Sequence, residues 1–141
     1  MTETNPARTY AAVVDRLIDA ASGDPRIKAL WLEGKEPREL RRPYARLEVH
    51  LAADEPDFAA LLSRFENLLA GPAKLTEPRW SDVPRFARQF DCRIDGKPVT
   101  AIIEKTSLLA KRKRTAVAAL ADKTGHLYHV IDIVVPQPKG S

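Results

Sequence analysis

The chain has 141 residues, 44% hydrophobic and 30% charged, which suits one domain with one core and leaves little room for a second. Its 23 Lys and Arg against 19 Asp and Glu leave a net charge of +4, too small to argue for a nucleic-acid partner by itself. No run approaches the roughly 18 apolar residues of a membrane span, and "MTETNPARTY" has neither the basic start nor the apolar stretch of a secretory signal, so a cytoplasmic location with no membrane partner is expected.

The first predicted element is an amphipathic helix. Tyr10, Val13, Val14, Leu17, Ile18 and Ala21 recur at i, i+3, i+4, i+7, i+8 and i+11, one apolar stripe. Asn5 and Pro6 suit its cap and first turn, and "SGDP" at 22–25 stops it. "IKALWL" at 27–32 then reads as a strand buried on both faces, with Gly34 ending it. Pro37 opens a short helix reaching Arg41 or Arg42, which Pro43 terminates because proline disfavours helical geometry in the residue before it. The strand at 46–52 alternates: Arg46, Glu48 and His50 share one face, while Leu47, Val49 and Leu51 face the core.

A second amphipathic helix starts near Pro56, gathers Phe58, Leu61, Leu62, Phe65, Leu68 and Leu69 on one face, and ends at Gly71 and Pro72. "RFARQFDCRI" and "KPVTAIIEK" are strands flanking Asp95-Gly96, the strongest short hairpin signal in the chain. "TSLLAKRKRTAVAALA" divides into a loop or helical turn and a strand from Thr115, and a turn at 122–125 leads into "LYHVIDIVV". The whole reads as one domain over 1–141, its core at about 6–135 and a disorder-prone tail, "PQPKGS", at 136–141.

The succession of helix, "DPRIKALWLEG", short helix, "YARLEVHLA", long helix, "DGKPVTAII" and "AALADKTGHL" resembles the nucleotidyltransferase fold. It looks closest to the small antibiotic-type enzymes, the aminoglycoside and lincosamide nucleotidyltransferases. The resemblance implies an α+β domain, a mixed sheet with helices packed mainly on one face. In that family a Gly-Ser pair follows the first strand, and two acids one residue apart on the next strand bind the magnesium ions of the nucleoside triphosphate. Here Gly34 matches the glycine, but Lys35 stands at the serine, Arg46 at the first acid and Glu48 at the second. A guanidinium stays protonated and offers a metal no lone pair. The family's third acid has no match within "VTAII", where Thr100 and Ile102 share a face and Glu104 lies at the strand's end. Glu48 and Glu104 are therefore relict candidates on a scaffold without its two-metal engine.

The function expected is a non-catalytic binding or interaction domain. Gly34, Lys35, Arg38 and Arg46 are the candidate site for a phosphate or nucleotide held without metal, because a glycine turn before a helix start offers amide groups and a favourable dipole. Residues 35–46 carry five basic side chains and two acidic ones, most of the net charge. The competing reading there is a solvated helix face, with Arg46 and Glu48 neutralising one another. Two rival functions are an active nucleotidyltransferase in which Glu48 and Glu104 hold one magnesium ion, and a nucleic-acid binder using "KRKR" at 111–114, which lacks interleaved aromatics and is disfavoured.

His50 reads as a satisfied polar residue rather than a base, and Trp31 and Trp80 as packing. Cys92 cannot form an internal disulfide and reads as a buried strand residue, while histidines at 50, 126 and 129 show no zinc-ligand spacing. No metal or other cofactor is expected. The antibiotic enzymes continue with further helices where this chain ends at Ser141, so the expectation is either a stand-alone remnant or a subunit whose missing cleft wall comes from a partner protein or from a second copy in a homodimer.

Overall fold

The computed structural model describes residues 6–34, 47–83, 87–111 and 116–124. In chain order these form helix α1 (Pro6–Gly23), strands β1 (Ala29–Gly34) and β2 (Leu47–Ala53), helix α2 (Glu55–Ala70), strands β3 (Leu75–Val83), β4 (Ala87–Ile94) and β5 (Lys97–Lys105), a 3-10 helix (Thr106–Lys111) and strand β6 (Ala116–Asp122). The short helix expected after Pro37, the strand expected in "LYHVIDIVV" and the tail all lie outside the described residues.

Helix α1 buries the stripe read from its periodicity, with Tyr10, Val13, Val14, Leu17 and Ala21 in the core. Its last carbonyls are met by a cation: the Lys123 ammonium donates to the oxygens of Ala21 and Asp24. Just beyond, Arg26 donates through its side chain and its backbone amide to Asp24, holding that carboxyl below its ordinary range. Helix α2 opens with Pro56 in its first turn beside Glu55 and Asp57, where negative charge suits the helix dipole. It closes at Gly71, whose positive φ of 53° lets its amide donate to the carbonyl of Asn67. Arg16 of α1 reaches across to donate to the Leu69 carbonyl, tying the body of α1 to the end of α2.

The six strands form one sheet in the order β3-β4-β5-β2-β1-β6. β2 and β5 run parallel, and every other neighbouring pair is antiparallel. The β4–β5 connection is the expected two-residue turn, with Asp95 at φ 49° and Gly96 at φ 80°, the double left-handed geometry that matches strand twist. Both helices lie on one face, over Leu30, Leu32, Leu47, Val49, Leu51, Phe90, Val99, Ala101 and Ile103. Tyr10 fixes α1 to this face by donating from its hydroxyl to the Pro98 carbonyl. The fold is thus α+β, a mixed sheet with its helices on one side.

Two readings need correction. β1 runs Ala29–Gly34 rather than 27–32, so Glu33 joins the sheet and Ile27 packs in the core from the turn before it. The sequence reading also placed no strand between α2 and β4, yet β3 is the edge strand of the sheet there. Its Pro78 falls inside a register irregularity between Thr76 and Arg79, beside Glu77 at φ 55°. An edge strand with a bulge is where a residue lacking an N–H is tolerated. Trp80 from this strand stacks among Phe65 and Phe90, the packing role expected for it.

Candidate functional site

Among the described residues, the face opposite the helices is only partly covered. The 3-10 helix lays Leu109 over Ala29, Trp31, Ala52 and Val117, a small second core at one end of β1 and β2. Polar residues take over along the same strands. Alternation on β2 sends Glu48, His50 and Ala52 to this face, while β1 sends Ala29, Trp31 and Glu33. β1 is antiparallel to β2 with Trp31 opposite His50 and Leu32 opposite Val49, so one further step sets Glu33 alongside Glu48.

Those two carboxylates converge on one imidazole. His50 Nε2 is 2.9 Å from Glu48 Oε2 and 3.4 Å from Glu33 Oε1, and one ligand atom from each of the three residues lies within 4.8 Å of the others. His50 is only 2% exposed, against 13% for the Glu33 side chain and 40% for Glu48, so the cluster runs from the interior out to solvent. The ring is held from the side by Trp31, stacked with centroids 5.3 Å apart and planes inclined by 24°. Its second nitrogen, Nδ1, is buried and has no hydrogen-bond partner among the described residues.

The polar row continues past Glu48. Its neighbour on β5 is Thr100, whose hydroxyl donates to Asp91 Oδ1 of β4 at 2.7 Å, and Gln89 donates to the same carboxylate. Asp91 also stands beside Cys92, which points to the opposite face. That thiol is pushed up to about 12 by burial first, then by the negative charges of Asp91 and Glu66.

Of the residues singled out in the sequence, Gly34 ends β1 immediately after Glu33, and Glu48 belongs to the cluster. Lys35, Arg38 and Arg46 lie outside the described residues, as do Arg112 to Arg114 of "KRKR". Glu104 is fully buried and pairs with Ala52, four positions along from the Thr100 that faces Glu48. At about 3.3 Å per strand residue this separates it from Glu48 by roughly 13 Å along the sheet, so the fold does not bring the two relict acids together. His50 occupies the expected face but is enclosed there. Among the described residues its Nε2 is hydrogen-bonded and its Nδ1 is not.

The sequence reading missed Glu33 and Asp91. The signal for Glu33 was local: Leu30 and Leu32 on the helix side put Trp31 and Glu33 on the other. Asp91 follows equally from the hairpin register that opposes it to Thr100. Set against protein-family models and against curated proteins, the chain matches none. No helix among the described residues is long and apolar enough to cross a membrane.

Proposed function

We propose that this domain is a nucleotidyltransferase-like binding module that does not carry out two-metal transfer. Its ligand is a phosphate or a nucleotide, taken by Lys35, Arg38 and Arg46 of the segment after Gly34. One observation carries the non-catalytic part: the strand residue facing Glu48 across β2 and β5 is Thr100, a neutral side chain committed to Asp91, with Glu104 four positions further on. A pair of divalent ions bridging a triphosphate needs an all-oxygen set of carboxylates; the two that do converge here, Glu33 and Glu48, have an imidazole between them, and Thr100 stands beside them in place of a further acid. The order of β1 ending in Gly34, the basic segment and β2 supports the ligand part, because five cations lead into the strand that lines this face.

Calorimetric titration of phosphate, ATP and GTP into chelator-treated protein tests the reading. Binding is expected without magnesium, unchanged or weakened when magnesium is added, and declining with salt. Lys35→Ala combined with Arg46→Ala removes it, while Lys111→Ala with Arg112→Ala leaves it. Strictly magnesium-dependent binding, or none up to about millimolar ligand, refutes the proposal. So does nucleotide transfer from labelled triphosphates that is lost in Glu48→Ala, the outcome that establishes the active-enzyme reading instead.

A further inference from the structure

We propose that Glu33, Glu48 and His50 form a site for one divalent first-row transition ion of the zinc class. This goes beyond the phosphate-binding reading and does not depend on it. It also differs in donors and in ion from the magnesium pair that the nucleotidyltransferase resemblance implies, since Glu33 and His50 have no counterpart among those acids.

The first argument is spacing. Zinc bonds to imidazole nitrogen and carboxylate oxygen are about 2.0–2.1 Å, which at a tetrahedral angle sets neighbouring donor atoms about 3.3 Å apart. Here the nitrogen-to-oxygen edges are 2.9 and 3.4 Å, and the third edge is no more than 4.8 Å. Rotation of the Glu48 side chain, the most exposed of the three, closes that third edge without moving a strand.

The second argument is the buried ring itself. His50 is enclosed, and Nε2, rather than Nδ1, is the nitrogen that faces the two carboxylate oxygens. A neutral imidazole with its proton on Nδ1 turns the Nε2 lone pair to the point where the two oxygens converge, so a cation there meets one nitrogen and two oxygen donors at once. Neighbouring positions on the same face hold Trp31, Ala52 and Ile102, so the ring is set in apolar surroundings. The imidazole is held against Trp31, on adjacent strands rather than on a loop, which is the preorganisation a metal site requires.

The donor set fixes the class of ion. Magnesium and calcium select all-oxygen surroundings, and magnesium holds its waters in octahedral array; an imidazole with two carboxylates suits zinc and cobalt. Three protein donors leave a coordination position for water or for an oxygen of an added ligand.

The test titrates zinc and, separately, cobalt into the chelator-treated full chain, followed by calorimetry, by the visible absorption of four-coordinate cobalt and by quenching of Trp31. One ion per chain is expected, with a raised melting temperature and no displacement by excess magnesium. Glu33→Gln and Glu48→Gln each weaken binding by at least about tenfold, and His50→Gln abolishes it. Glu48→Gln alters a half-exposed side chain and keeps the fold, so its affinity is readable even where His50→Gln unfolds. Asp91→Asn and the pair His126→Ala with His129→Ala retain the site. The proposal fails if no saturable zinc or cobalt binding is seen at about 100 μM. It fails equally if Glu33→Gln and Glu48→Gln bind as the native chain does, or if binding follows His126 and His129.

Discussion

Val49→Asp places a carboxyl at the centre of the sheet's helix side, where Val49 is fully buried between Leu32 of β1 and Ala101 of β5. Removing the valine forfeits about 2 kcal/mol of apolar burial. The larger penalty is ionic: burial raises a carboxyl pKa by about 3–5 units from roughly 3.9, so at pH 7 the folded state must hold it protonated or expose it. At about 1.36 kcal/mol per unit, the roughly three units between 3.9 and 7 cost about 4 kcal/mol, for a total near 6. That is comparable to the whole stability of an ordinary domain, about 5–15 kcal/mol. The sign follows from linkage. An acid whose folded pKa is raised binds more protons folded than unfolded, so its stability falls as pH rises from about 4 towards the folded pKa. Urea denaturation followed by tryptophan fluorescence at pH 4 and pH 7 should therefore find Val49→Asp far closer to the native chain at the lower pH. Val49→Ala should cost about 2 kcal/mol at both. A Val49→Asp loss below about 1 kcal/mol at pH 7, or one that grows towards pH 4, would place Val49 outside the core and overturn the face assignment of β2.

Cys92, buried with its thiol pushed up to about 12, should resist a disulfide exchange reagent at pH 8 in the native protein and react at once in urea. Because its folded pKa lies above the unfolded one, stability should also decline as pH rises from about 9 towards 12; fast native-state labelling would contradict the burial. Gly71→Ala should cost about 1–3 kcal/mol in thermal or urea melts, since φ is 53° and an added Cβ would run into Arg16 Cδ. Gly23→Ala, with no atom within 4 Å of its Cβ position, should be near neutral, and equal effects at the two glycines would refute that account.

Local chemistry made much of this fold readable. The α1 stripe, the Pro56 start and Gly71 end of α2, the Asp95-Gly96 turn and the alternation of β2 are each settled by neighbours a few residues apart, and each has its counterpart in the structure. β3 escaped because its pattern is that of an edge: mostly exposed, interrupted by Pro78 and bulged, it carries no apolar alternation to read. The candidate site was half legible. Glu48 and His50 fall on one face by period two, but the partner that joins them, Glu33, comes from pairing between strands separated by residues 35–46, and no spacing along the chain encodes that register. A search for histidine and cysteine spacing finds nothing here, because two of the three donors are glutamates brought in by the sheet.

The two faces of β2 carry different burdens, one the core and the other the polar cluster. Leu47, Val49 and Leu51 are locked beneath α1 and α2, so the strand cannot slip by one residue without exposing all three and burying Glu48 in their place. That register simultaneously holds Glu48 and His50 at fixed separation on the other side, and the antiparallel partner β1 is fixed in the same way by Leu30 and Leu32. A carboxylate pair and an imidazole crowded onto a partly buried surface oppose folding through desolvation. The helix-side core supplies the stability that lets them persist, which is why substitutions on that side should be read out as loss of fold and substitutions on the polar side as loss of ligand. A cation bound between the three residues reverses the local penalty, so the same cluster that weakens the empty chain should strengthen the loaded one.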